Sequence, residues 1–221
     1  MNLKFYTKSA FTLAEILITL GVIGVLASIT LPTVIKHHQQ QEVVSKLKKF
    51  HSIMNQAIRL SEAENGSCVN WDLPASGSND DILEFYNTYL AKYIKSTDIT
   101  KQEFLSNKNG AKRTSNLVQL SDGSAFILDE YSLNIEGRLA LITFYPKVNR
   151  LNSDKFSRDR FPFELYKTNC TLEPYRYQWN KTPEHLKNSE NYGCNKTSPY
   201  ASYCTKLIEY NGWQITKDYP W

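Results

Sequence analysis

Signatures of chemistry are what this chain has least of. It contains no G-x-S-x-G, no H-E-x-x-H and no glycine-rich phosphate loop, and its four histidines and four cysteines offer no nucleophile-base pairing legible in the sequence. That points away from an enzyme. None of Cys68, Cys170, Cys194 and Cys204 stands in a C-x-x-C pair, which disfavours zinc and dithiol chemistry. His37, His38 and His51 lack Cys, Asp or Glu partners at ligand spacing and read as solvated residues. The net charge is only +4, and the basic residues are dispersed except at "KLKK", Lys46 to Lys49, so DNA is a minor alternative among the partners.

A second absence is local. From Ile16 to Ile35 no residue is charged, and twenty helical residues at about 1.5 Å each match the roughly 30 Å of a bilayer core. Membrane lipid is therefore an expected partner. At its head stands one exception, Glu15. An acid costs roughly 3 kcal/mol at the centre of a membrane helix and less near its end, whereas the twelve Leu, Ile, Val and Phe residues from Phe11 to Leu31 return roughly 5 kcal/mol. Insertion survives the acid, but an ionisable group in such a segment needs a function and a partner.

The preceding "MNLKFYTKSA" is short and basic through Lys4 and Lys8, and ends in the small residues Ser9 and Ala10. With the "FTLAE" that follows, and with Pro32 in the apolar run, it resembles the type IV prepilin leader of pilins, type II secretion pseudopilins and competence pilins. The resemblance implies cleavage between Ala10 and Phe11 by a prepilin peptidase, and methylation of the new N-terminus. It also implies that Glu15, the fifth mature residue, is an assembly contact with the N-terminal amine of a neighbouring pilin-like subunit. Ala10 departs from the pattern, which usually has Gly there. Two other readings stay open. In one, an ordinary secretory signal peptide has residues 16–26 as its apolar core and Val25 and Ala27 before the cut, so that the mature chain starts at Ser28 and is a secreted or anchored binding module for glycan or DNA. In the other, the segment is a plain membrane anchor. Basic residues do not settle orientation, since Lys36, Lys46, Lys48 and Lys49 outnumber those before the helix. The family implies a single pass through the cytoplasmic membrane, with the C-terminal domain outside and later part of a filament in the periplasm or at the cell surface.

Beyond Pro32 the apolar pattern becomes a stripe. Val43, Leu47, Phe50, Met54 and Ala57 recur at spacings of three and four, widened by Val44, Ile53 and Ile58, and Asn65-Gly66 is a stop signal. The chain thus divides into a leader (1–10), a membrane and assembly helix (11–35), its amphipathic continuation (36–65) and a globular domain (66–221). In that domain "WDLPASGSNDD" reads as a loop and "DILEFYNTYLAKYIK" as a second amphipathic helix. "NLVQLSDGSAFILDE" is a hairpin turning at Asp122-Gly123, and "RLALITFYP" and "FPFELYKT" are further strands. The expected fold is α+β and pilin-like, with a long N-terminal helix packed on an antiparallel sheet of about four strands. "LSDGSAFILDE", "FSRDRFPFELY" and "GWQITKDYPW" are also similar to segments of pilin-like proteins of type II secretion.

An even number of cysteines behind an export segment suggests disulfides. A Cys194–Cys204 bridge is expected, with Cys68 and Cys170 left to pair or stay free; three pairings are possible for four cysteines. Ser198 and Pro199 read as the cap and first residue of a helix running to about Asn211, with Gly212 after it. No cofactor is expected. Major secretion pseudopilins bind calcium through acidic side chains in a loop near the last strands, and Asp154, Asp159 and Glu164 are the nearest counterparts. Their spacing does not match that loop, and they read as solvated.

Overall fold

The computed structural model describes residues 11–72, 78–129, 138–176 and 182–221. Two compact units meet between Glu42 and Val43. The first consists, among its described residues, of helix α1, Leu13–Asn65, as far as Glu42; Pro32 lies within it. The rest of α1 belongs to the second unit. Gly66, with φ +79, ends the helix in the left-handed conformation that glycine adopts most readily.

The second unit is α+β. Strands β1 (Ser96–Leu105), β2 (Lys112–Leu120), β3 (Ala125–Asp129), β4 (Arg138–Tyr145), β5 (Phe161–Tyr166) and β6 (Thr171–Pro174) form one antiparallel sheet in sequence order. Helix α2, Asn79–Tyr89, starts at Ser78, whose hydroxyl accepts from Asp81 N. Short helices α3 (Phe156–Asp159), α4 (Pro183–Asn188) and α5 (Cys204–Tyr210) complete it. Register places Phe126, Phe144 and Phe161 side by side on one face. Against that face α1 buries Val43, Leu47, Phe50, Met54, Ala57 and Ile58. The opposite face carries a smaller cluster of Phe104, Leu117, Ile127 and Tyr145.

Six strands replace the expected four, and both additional strands are sheet edges. On β1 most residues are exposed and charges recur at Asp98, Lys101 and Glu103, so no apolar alternation betrays it. Four-residue β6 ends at Pro174. Polar or proline-terminated edges resist pairing with foreign strands, and the same chemistry conceals them from a hydrophobic pattern. The C-terminal helix is also corrected. It begins at Cys204, because Ser198 turns its hydroxyl to the carbonyls of Ser189 and Glu190 instead of capping, and Ala201 takes φ +45. Part of the "WDLPASGSNDD" loop, residues 73–77, lies outside the described residues.

Side-chain amides and disulfides fasten this unit. Asn55 on α1 donates to Leu172 O (3.1 Å) and accepts from Leu172 N (2.9 Å), filling the outer hydrogen-bond positions of β6 as a further strand would. Cys68, just after α1, is bonded to Cys170 in the β5–β6 turn, and Cys194 to Cys204. The first bridge closes 102 residues and the second 10, and chain entropy makes them worth about 4 to 5 and about 2 to 3 kcal/mol respectively.

Asn55→Leu is accordingly expected to lower stability by about 1 to 3 kcal/mol in urea unfolding, because Leu172 N–H and C=O lose both partners where solvent access is restricted.

Candidate functional site

Every large apolar residue from Phe11 to Ile35 is exposed, Phe11 at 84% and Ile29 at 68%. None of the described chain covers them. Of all described helices, α1 alone is long and apolar enough to cross a membrane. Its polar side chains suit such surroundings: Thr19 donates to Ile16 O, Ser28 to Val25 O and Thr30 to Leu26 O, so these hydroxyls are satisfied within the helix.

Glu15 sits in the first turn of α1, and its carboxylate is engaged. Oε2 accepts from Thr12 N and from Thr12 Oγ1, both at 2.8 Å, while Glu15 N donates to Thr12 Oγ1 at 3.2 Å. This reciprocal arrangement is a capping box, and it satisfies donors that a helix start leaves open. Reading Glu15 only as an intersubunit contact misses this role; the signal was T-x-x-E directly before an apolar run, in "TLAE". Phe11 adjoins the box, and Ala10 lies outside the described residues.

The calcium candidates do not converge on an ion. Asp159 is buried, with Arg158 Nη2 at 3.1 Å, Arg150 Nη1 at 3.4 Å and the Ser153 hydroxyl at 2.6 Å from its Oδ2. Glu164 is fully buried on β5. It faces the Arg138 guanidinium at 2.5 Å and accepts from the Tyr166 hydroxyl and, at 2.8 Å, from Arg176 N. Only Asp154 is solvated. Arginine already occupies the oxygens of the other two, which corrects their reading as solvated groups. Among the described residues Glu62, Cys68 and Cys170 also bring ligand-type atoms within 4.8 Å of one another. Both sulfurs are in the disulfide, and Glu62 accepts from Cys68 N, so no thiolate is available to a metal.

The "KLKK" run is divided between structure and solvent. Lys46 donates to Asp122 O (3.2 Å) and Pro146 O (2.9 Å), and Lys49 pairs with Asp122 Oδ2 at 2.8 Å. Two of its three lysines therefore hold α1 to the β2–β3 turn. His51, expected to be solvated, is instead half-buried between Phe163 and Trp213. Helix α4 starts at a cap legible in "TPE": the Thr182 hydroxyl accepts from His185 N and Pro183 takes the first helical position.

A family model described as a family of unknown function (DUF6613) matches residues 33–221. The chain belongs to that family. The DUF6613 match spans the amphipathic part of α1 and all that follows, and starts directly after Pro32. No curated protein and no solved structure matches the chain. In this DUF6613 member the two disulfides fit an extracytoplasmic domain, and the N-terminal apolar helix fits a membrane anchor or signal sequence.

Glu164→Ala is expected to cost about 3 to 5 kcal/mol in denaturant unfolding, because Arg138 is left charged and buried without its partner. A second test uses pH. Burial disfavours the charge on Asp122, but the hydrogen bonds from Lys49 and Ser124 outweigh it and hold the pKa at about 2, below the ordinary 3.8. A lowered pKa stabilises the fold above the ordinary value, and that contribution disappears as pH falls from about 4 through about 2. Solvent screening limits it to about 1 kcal/mol or less. Wild type and Asp122→Asn should thus differ in stability at neutral pH and converge near pH 2.

Proposed function

We propose that the chain is a structural, pilin-like subunit of an extracytoplasmic filament, either a type II secretion pseudopilus or a type IV pilus. Maturation is by prepilin peptidase cleavage before Phe11 and N-methylation. The observation that carries this reading is the uncovered apolar run from Phe11 to Ile35 with a single carboxylate held at its head. A surface of that length is stable only in lipid or against other chains, and both environments belong to such a subunit's life. Before assembly the segment anchors the chain in the cytoplasmic membrane with the disulfide-bonded domain outside; in the filament it packs against the equivalent segments of other subunits.

The capping box gives the assembly step a physical form. Cleavage before Phe11 leaves Thr12 and Glu15 in place and creates an ammonium one residue ahead of the cap. Thr12 holds the carboxylate at the helix start, and in the proposed filament the amine of an incoming neighbour meets it there. In a low-dielectric helix bundle, an ammonium deprived of a counter-charge costs about 3 to 5 kcal/mol. Correct stagger between subunits is the arrangement that removes this penalty.

Two substitutions separate the cap from the charge. Glu15→Gln keeps the capping hydrogen bonds, since glutamine serves in the same box, while Glu15→Leu removes both. Both variants should insert in the membrane and be cleaved. In cells, crosslinking ladders and sheared filament fractions should be lost from both. Ladders retained by Glu15→Gln and lost only from Glu15→Leu would reduce the residue to a helix cap, and ladders equal to wild type in both would remove its assembly role.

A further inference from the structure

Asn65, Asn109 and Asn211 are each followed directly by a glycine. Asparagine is a thermolabile residue, and a glycine nitrogen has no Cβ beside it to hinder attack on the preceding side-chain amide. Folding places the three pairs in different circumstances.

Asn65 is the last residue of α1, and its Nδ2 donates to Ser61 Oγ at 3.0 Å. The helix fixes its backbone and a hydroxyl holds its amide. Asn211 is half-buried at the end of α5, and the nitrogen that follows it, Gly212 N, is committed to Glu209 O at 2.8 Å. Asn109 lies in the β1–β2 turn, exposed together with Gly110. The turn is organised by Asn107, whose Oδ1 accepts from Asn109 N at 3.0 Å and from Ala111 N at 3.2 Å. The Asn109 side-chain amide itself has no hydrogen-bond partner among the described residues. Gly110 N–H makes only a long contact, 3.3 Å, to Asn107 O. Gly110 has φ +91, and a Cβ placed on it would meet nothing within 4 Å, so the turn has room to rotate.

We propose that Asn109 is a site of spontaneous deamidation, selected by the fold from among the three Asn-Gly pairs. Gly110 N attacks Asn109 Cγ and gives up its proton. The bond from Cγ to Nδ2 breaks, and that nitrogen leaves as ammonia, closing a five-membered imide. Water then opens the ring at one of two carbonyls. Opening at Cγ yields aspartate, and opening at the main-chain carbonyl yields isoaspartate, in which the chain continues through the former side chain. One water is consumed and one ammonia released, with no oxidation. Each event lowers the net charge of +4 by one. The isoaspartyl form also lengthens the main chain by one carbon directly after Lys108, whose N–H donates to Pro199 O at 2.9 Å and whose Nζ donates to the carbonyls of Asn195 and Lys196. The modification therefore falls where the β1–β2 turn is attached to the Cys194–Cys204 loop. This inference is independent of filament assembly.

The test is peptide mapping by mass spectrometry of the full chain, held in non-ionic detergent and mildly alkaline buffer with its disulfides intact and sampled over days. Aspartyl and isoaspartyl forms of the peptide containing Asn109 should accumulate several-fold faster than those of the peptides containing Asn65 and Asn211. The same chain unfolded in guanidinium chloride should lose that lead, because all three pairs share the Asn-Gly chemistry and differ in their folded surroundings. Absence of conversion at Asn109 in the folded chain, conversion of Asn65 or Asn211 as fast as Asn109, or an undiminished lead of Asn109 after unfolding would each overturn the proposal.

Discussion

The contact on which the domain depends is that of Phe50 with three neighbouring strands. Its ring, 2% exposed, lies 5.4 Å from Phe126 on β3, 4.5 Å from Phe144 on β4 and 5.5 Å from Phe163 on β5, measured between centroids. One helical side chain thereby fixes α1 against the middle of the sheet. Lys46 and Lys49 tie the preceding turn to the β2–β3 loop, and Asn55 ties the following one to β6. The helix is registered at a turn, a core and an edge within about three turns. Bridging Cys68 to Cys170 then locks its C-terminal end to the same sheet.

A helix fastened so closely over its second half leaves its first half with a different problem. From Phe11 to Ile35 no described side chain shelters it, and its hydroxyls turn inward to its own carbonyls. The two disulfides staple a domain whose core is shared among a helix stripe, a sheet and several short helices. One continuous helix therefore serves two environments, apolar before Pro32 and amphipathic after it. The proposed role as a membrane-tethered assembly subunit would use that division of labour.

Sequence alone revealed what rests on periodicity. The α1 stripe, the aromatic face of α2 and the Asp122-Gly123 hairpin all repeat at the period of their element, because one face of each is buried. What escaped has no such period. β1 is an exposed, charged edge, and β6 has four residues and obtains its outer partner from Asn55, a long-range contact that no local pattern encodes. Ser198-Pro199 looked like a helix start, but nearby carbonyls claim the serine hydroxyl. Asp159 and Glu164 looked like loop acids until the fold brought Arg150, Arg158 and Arg138 to them. At the candidate site, by contrast, Glu15 was conspicuous as a charge heading an apolar run. Its capping role was equally legible in "TLAE", since a cap is made by residues three apart.

In the proposed function the chain matures by losing its first ten residues and keeping the whole apolar helix. The mass of the mature N-terminal peptide, recovered from membranes, tests it most directly. A peptide beginning at Phe11 and carrying one added methyl group is the expected result. One beginning at Ser28 would mean that the apolar segment and Glu15 are discarded together, and would contradict both the assembly role and the filament.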